Sequence, residues 1–254
     1  MIRLKAKRVD HKGGNTPVLT NREIDEFAHA VLSDYKPELL EEPGKIRFEH
    51  FLEFYLGVNI FYEDIYHEDP ERPIFGATAF QNGTLKVFDK DEQGVKIVNI
   101  PANSVVIDNY VMQEGKEGLA TFTGLHEAGH LLMHWEVYGG AAEPGDRVIC
   151  CYRESIESFY VKATKRTPLE WREYQADYFA AAIAMPNATF KPFVHKFLRE
   201  HGVRKGAIIL GRDEDLDILA EVILPEGIGS VYGVSKRAAS VKLRKLGFVL
   251  PSTF

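Results

Sequence analysis

Apolar residues recur along this chain with two periods, and the change of period divides it. Ile24, Phe27, Ala28, Val31 and Leu32 stand at i, i+3, i+4, i+7 and i+8, the stripe of an amphipathic helix. Thr20-Asn21 precedes them and can cap its start. Pro43-Gly44 breaks the chain, and Phe48, Phe51, Leu52 and Tyr55 predict a second short helix ended by Gly57. Short strand-like runs follow: VNIFYED, FGATAF, TLKVFD, VKIVNI and SVVID, the later ones separated by QNG, DEQG and PAN. Asn82-Gly83 is a hairpin signal. Beyond Asp108 the pattern turns helical. LATFTGLHEAGHLLMHW is one helix, followed by a loop containing Gly139-Gly140 and Pro144-Gly145. A second runs from about Pro168 to Met185, ahead of Pro186. Asn187 is placed to cap a third, whose apolar side carries Phe190, Phe193, Val194, Phe197 and Leu198. DEDLDILAEVIL and SKRAASVKLRKLGF give two more. A run of strands followed by a run of helices predicts an α+β fold.

Composition narrows the class without naming a function. The 254 residues suffice for one large domain, or a domain with a subdomain. Net charge −6 and an isoelectric point near 5.9 give no whole-protein affinity for nucleic acid or acidic lipid. No apolar run approaches the roughly 20 residues that cross a bilayer. The opening MIRLKAKRVDHKGGNTP has basic residues but no apolar core, so it reads as a flexible leader over residues 1–19 rather than a signal peptide. The two cysteines, Cys150 and Cys151, are adjacent, a spacing that disulfide geometry fits poorly. They read as bystanders in a reducing cytoplasm.

The chemistry lies in TFTGLHEAGHLLMHW, where His126, His130 and His134 follow at steps of four and Glu127 follows the first. Residues four apart on an α-helix differ by about 40° and sit one turn apart, so two imidazoles at that spacing reach one cation. HExxH on a helix is the zinc-peptidase signature. Glu127 lies about 100° from His126 and so points beside the ion rather than at it. Gly129 inside the motif costs about 1 kcal/mol of helix propensity against Ala, which predicts a close neighbour there. His134 is a rise of about 12 Å from His126, and no Gly breaks the helix between His130 and His134. It therefore falls outside the ligand set and either lines the cleft or packs at the helix end. The third ligand comes from LEWREYQADYFAAAIAMP. Glu173 and Asp177 share a face beside Ala176 and Ala180, so Glu173 completes a zinc sphere and Asp177 hydrogen-bonds a ligand histidine. Glu170, one turn earlier, is the alternative ligand.

These motifs resemble the ImmA/IrrE family of metallopeptidases. Members carry FTxxHExGHxxxH and then ExxANxFAxxLLMP; this chain has FTGLHEAGHLLMH and EYQADYFAAAIAMP, with Asp177 where Asn is commoner. VVIDN and the tail GVSKRAASVKLRKLGF are similar too, so the resemblance spans roughly Asn21 to Phe248. It implies a zincin-like, minigluzincin-type fold: a small, mostly antiparallel sheet, an active-site helix with HExxH and a following ligand helix. Residues 20–190 would form this domain and 191–254 a mostly helical C-terminal subdomain. The resemblance further implies a cytoplasmic Zn2+-dependent endopeptidase, with His126, His130 and Glu173 as ligands and Glu127 as base. Known relatives cleave helix-turn-helix repressors and so derepress mobile-element or stress genes. The expected partner is such a repressor, supplied by a separate gene, with no direct binding of nucleic acid or membrane.

Metal-assisted amide hydrolysis also needs an oxyanion donor, for which Tyr174, Tyr178 and His134 are candidates. A strand within residues 75–108 is expected to pair with an extended substrate. The rival reading is a non-catalytic, zinc-containing regulatory module whose Ser235–Leu246 segment binds nucleic acid through Lys236, Arg237, Lys242, Arg244 and Lys245. A third is a purely structural zinc site, which has no need of a free carboxylate at Glu127.

Overall fold

The first regular structure in the chain is a short antiparallel pair, β1 (Val9–Asp10) and β2 (Thr16–Pro17). The computed structural model describes residues 2–71, 73–139, 148–152 and 166–252. Within it the stretch read as a leader lies on the body of the protein. The Leu4 amide donates to the Leu132 carbonyl at 3.0 Å, Arg172 Nη1 donates to Thr16 Oγ1 at 2.7 Å, and Thr16 is buried. The composition of this stretch is polar, and only the tertiary contacts give it a place.

Helix α1 (Asn21–Tyr35) starts on a capping box. Thr20 Oγ1 accepts from the Glu23 amide and Glu23 accepts from the Thr20 amide. All five stripe residues of α1 are buried. Two short helical turns follow, α2 (Glu38–Glu41) and α3 (Phe48–His50), the latter continuing as a wider π turn over Phe51–Tyr55.

The strands are β3 (Asn59–Glu63), β4 (Ile74–Ala79), β5 (Gly83–Asp89), β6 (Gly94–Ile100), β7 (Ser104–Asp108) and β8 (Val148–Tyr152). Four make one sheet in the order β3-β7-β4-β8, with β3–β7 parallel and the other pairs antiparallel. The remaining two form the β5–β6 hairpin. β4 and β7 are buried throughout, which explains their unbroken apolar character. Val105 and Ile107 face the helices, whereas Val106, Ala77 and Ala79 join Leu85, Val87 and Ile100 of the hairpin in a second cluster. β8 follows the predicted loop and is a strand that the sequence pattern did not indicate. Cys150 and Cys151 lie on its backbone; their side chains, and the turn signals at Gly140, Pro144 and Gly145, fall outside the described residues.

The helical half comprises α4 (Glu117–Met133), a single turn α5 (Trp135–Tyr138), α6 (Pro168–Ala184) and α7 (Asn187–Glu200). Strand β9 (Ile208–Ile209), helices α8 (Glu214–Ile218), α9 (Leu224–Tyr232) and α10 (Lys236–Lys245), and strand β10 (Val249–Leu250) complete it. Asn187 is the first residue of α7 rather than its cap; Pro186, with its fixed φ, holds the cap position. Val194, Leu198, Ile228 and Leu243 share one apolar core with α1, α4 and α6. The fold is α+β, with a small mixed sheet beneath α4 and a helical C-terminal part.

Candidate metal centre

α4 carries HExxH through the interior: from Phe122 to Met133 every residue is buried. Its closest neighbour is α6, and Gly129 shows why. A Cβ at Gly129 would stand 3.1 Å from Ala176 Cα and 3.3 Å from Ala176 O. The missing side chain lets the two helices meet, and Ala176 and Ala180, fully buried, form the other half of the seam. Glu173 and Asp177 of α6 are thereby brought opposite His126 and His130.

The four side chains divide into an inner and an outer set. His126 Nε2 and His130 Nε2 face each other at 2.9 Å, and the Glu173 carboxylate lies 3.3 Å from the first and 3.4 Å from the second. One ligand atom from each residue falls within 4.8 Å of the others. The outer nitrogens are held from behind. His126 Nδ1–H donates to Asp177 Oδ1 at 2.8 Å, and His130 Nδ1 lies 3.0 Å from His134 Nδ1. The inner atoms fit a cation. Two imidazole nitrogens and a carboxylate point at one place, and neither Glu173 oxygen has a hydrogen-bond partner among the described residues. Two His and one Glu make the donor set of catalytic Zn2+ sites that keep a position open.

Burial sets the electrostatics. His126, Glu127, His130 and Asp177 are wholly inaccessible, while 15% of the Glu173 side chain is exposed. Desolvation pushes Asp177 up to about 6, against the pull of His126. It lowers His130, and lowers His134 well below the ordinary histidine range. Burial alone raises Glu173, but His130 and His126 outweigh it and hold the carboxylate well below its usual range. Glu127 is pushed up to about 7, chiefly by burial, with His126 and Thr78 opposing.

Glu127 does not join the inner set. Thr78 Oγ1–H on β4 donates to its Oε2 at 2.6 Å, and its Oε1 lies where a Cβ of Gly76 would be, 2.6 Å away. Gly76 is thus small because a carboxylate fills the space above β4. Neither Thr78 nor Gly76 was singled out from the sequence, although a glycine inside a strand is itself a sign of close approach. Gln175 was missed as well; it has no signature beyond its place in the ligand helix.

His134 stands behind the inner set. α4 ends at Met133, His134 leaves helical geometry with φ −113° and ψ 13°, and its Nε2 meets Gln175 Oε1 at 3.0 Å. Glu170, the alternative ligand, is exposed and accepts from the Thr167 amide at 2.6 Å in the capping box that starts α6. The three candidate oxyanion donors are engaged elsewhere. Tyr174 donates to Asn21 and Tyr178 to Asp25, both on α1, and His134 is enclosed. β4 and β7 are paired on both sides, so the central strands within residues 75–108 cannot receive a substrate strand. In the basic tail, Lys236 pairs with Glu226 and Arg244 with Glu221. Lys242 is buried and donates to the Met185 carbonyl at the end of α6.

No curated protein matches this chain. Among solved structures it is similar to a Mycobacterium tuberculosis transcriptional regulator at 12% identity and a TM-score of 0.40. That similarity covers 87% of this chain and 46% of the other, so the chain spans less than half the length of that protein. Residues 53–244 match the IrrE N-terminal-like domain, a peptidase domain. That span holds the whole inner set together with Glu127, Thr78, Asp177 and His134. The chain belongs to the IrrE N-terminal-like family of peptidases and carries the His-Glu-x-x-His plus distal Glu arrangement of a zinc metallopeptidase.

Proposed function

We propose that the chain hydrolyses a peptide bond in a protein substrate, with His126, His130 and Glu173 holding Zn2+ and Glu127 acting as general base. The observation that carries this reading is the pairing of a convergent His, His, Glu set with a separate carboxylate beside it that binds no ligand atom of the set. A site built only to hold a metal has no use for the second carboxylate. When bound, Zn2+ acidifies water and polarises a carbonyl. Glu127, fully buried beside the set, would take a proton from the attacking water and deliver it to the leaving amine. Thr78 orients the carboxylate by binding one of its oxygens. Asp177 fixes His126 with its proton on the outer nitrogen, leaving Nε2 for the ion.

The substrate we infer is a helix-turn-helix repressor in the cytoplasm, whose cleavage derepresses its genes. Support comes from the similarity of the two motif helices to those of ImmA/IrrE peptidases. Among the described residues no single helix is long and apolar enough to cross a membrane. β8 borders β4, the strand of Thr78 and Gly76, and among the described residues it is the edge of the sheet at which an extended substrate would add. The internal pairing of Lys236, Lys242 and Arg244 speaks against the nucleic-acid-binding alternative. The test is incubation of the zinc-loaded chain with helix-turn-helix repressors, reading fragments by mass. A single cut lost on chelation supports the proposal; a fully loaded protein that cuts no repressor overturns the substrate assignment.

A further inference from the structure

We infer that His134 and Gln175 are positioning residues: a one-way chain of hydrogen bonds, running from His130 through them to the Pro17 carbonyl, turns the His130 Nε2 lone pair toward the cation site. The inference rests on the proposed role of His130 as a metal ligand, and it brings the segment ahead of α1 into the centre.

The direction of the chain follows from its last member. A carbonyl oxygen carries no hydrogen, so Pro17 O can only accept. It lies 2.7 Å from Gln175 Nε2, and this fixes which way round the Gln175 amide sits. The Gln175 oxygen then faces His134 Nε2 at 3.0 Å and must accept, so His134 carries its proton on Nε2. A neutral His134 presents a lone pair at Nδ1, 3.0 Å from His130 Nδ1, which must therefore donate. His130 is left with Nε2 unprotonated, 2.9 Å from His126 Nε2 and beside Glu173. The opposite direction fails. If His134 donated from Nδ1, a neutral His130 would carry its proton on Nε2 and could not ligate. The line is closed off from bulk solvent, since His130, His134 and Gln175 are at most 1% exposed. The terminal acceptor is fixed as well, since Arg172 Nη1 of α6 holds neighbouring Thr16 at 2.7 Å. The two ligands are thus oriented by different means: His126 by the Asp177 carboxylate, His130 by a neutral chain that crosses from α4 through α6 to β2.

The chain is tested by Zn2+ competition with a chromogenic chelator on wild type, Gln175→Leu and Gln175→Glu. Glutamate keeps the oxygen that accepts from His134 and, by holding a proton on the oxygen that faces the Pro17 carbonyl, keeps the second bond as well; leucine removes both. Gln175→Leu is expected to bind Zn2+ about 10- to 100-fold more weakly, and Gln175→Glu to stay within about threefold of wild type. Equal losses in both variants mean packing alone and overturn the proposal, as does wild-type affinity in Gln175→Leu. The second arm needs no variant. Imidazole 15N spectra of the zinc-loaded wild type should show His134 protonated on Nε2 and bare on Nδ1; the reverse tautomer overturns the chain even if a variant fails to fold. A wild type that binds no Zn2+ overturns the metal reading itself, an outcome distinct from tight binding that ignores Gln175.

Discussion

Replacing Glu127 by Gln should move activity and stability in opposite directions. Glu127 is fully buried, one oxygen accepts from Thr78 at 2.6 Å, and the other has no partner among the described residues. Glutamine keeps the volume, and its carbonyl oxygen takes over the bond from Thr78. It accepts no proton at neutral pH, so turnover loses general-base assistance of about 10²–10⁴-fold, or about 3–5 kcal/mol of barrier. For stability, the sign follows from proton counts. Burial raises Glu127 from 4.5 to about 7, so between those values the metal-free folded state holds a proton that the unfolded chain has released. A folded state that binds more protons loses stability as pH rises through that window. Above about pH 7 the full cost is in place, on the order of 3 kcal/mol at 1.36 kcal/mol per tenfold. Glutamine has no charge to desolvate. In urea melts after chelation, Glu127→Gln should therefore exceed wild type by that order at about pH 8, and approach it near pH 4.5, the ordinary glutamate value. Wild-type cleavage by the Gln variant, or lower stability at the higher pH, would refute the assignment of Glu127 as a buried base.

The ligand set makes a second prediction. His126→Ala, His130→Ala and Glu173→Ala should each lose Zn2+ in metal analysis of the purified protein. Glu170→Ala should keep Zn2+ and lose only its capping-box bond to the Thr167 amide; retained metal in the first three would remove the site. Gly129→Ala should destabilise despite gaining about 1 kcal/mol of helix propensity. Its Cβ meets backbone of α6 at 3.1 Å, and overpacking costs about 1–3 kcal/mol. A higher melting temperature in that variant would show that the helices part freely.

How much of this was legible in the sequence depends on how local each feature is. The α1 stripe and its Thr20-Glu23 box, the strand runs and the helix carrying HExxH follow from periods of 3.6 and 2 and from capping chemistry. The His126, His130 and Glu173 cluster follows from spacing on two helices once they are taken to be packed neighbours, and Gly129 gave a hint of that contact. What stayed hidden depends on contacts across the chain. Thr78 is 49 positions from Glu127 and Pro17 is 158 from Gln175, and no period links either pair. The β1–β2 pair shows the same limit, since its place on the body comes from contacts with α6. His134 caps the end of α4 one turn beyond His130, and its partners, His130 and Gln175, could not be read from spacing along one helix.

The density of buried charge around one place yields a final prediction. Glu127, Glu173 and Asp177 lie around two imidazoles with little or no access to water, an arrangement that is costly without a counter-charge. In the metal-free protein two of these carboxylates respond by holding protons, with Asp177 near 6 and Glu127 near 7. A bound divalent cation favours the ionised form of both, so Zn2+ binding must release protons wherever the metal-free protein still holds them. The contribution of these two carboxylates to the affinity should therefore climb as pH rises through about 6 and about 7, and be complete above, where both are already ionised. Chelator competition across that window should give this curve, and Glu127→Gln should keep only its lower part, because glutamine has no proton to lose. An affinity that does not change with pH across the window would show that these carboxylates are already ionised without metal. The buried charge would then have to be balanced by the protein alone.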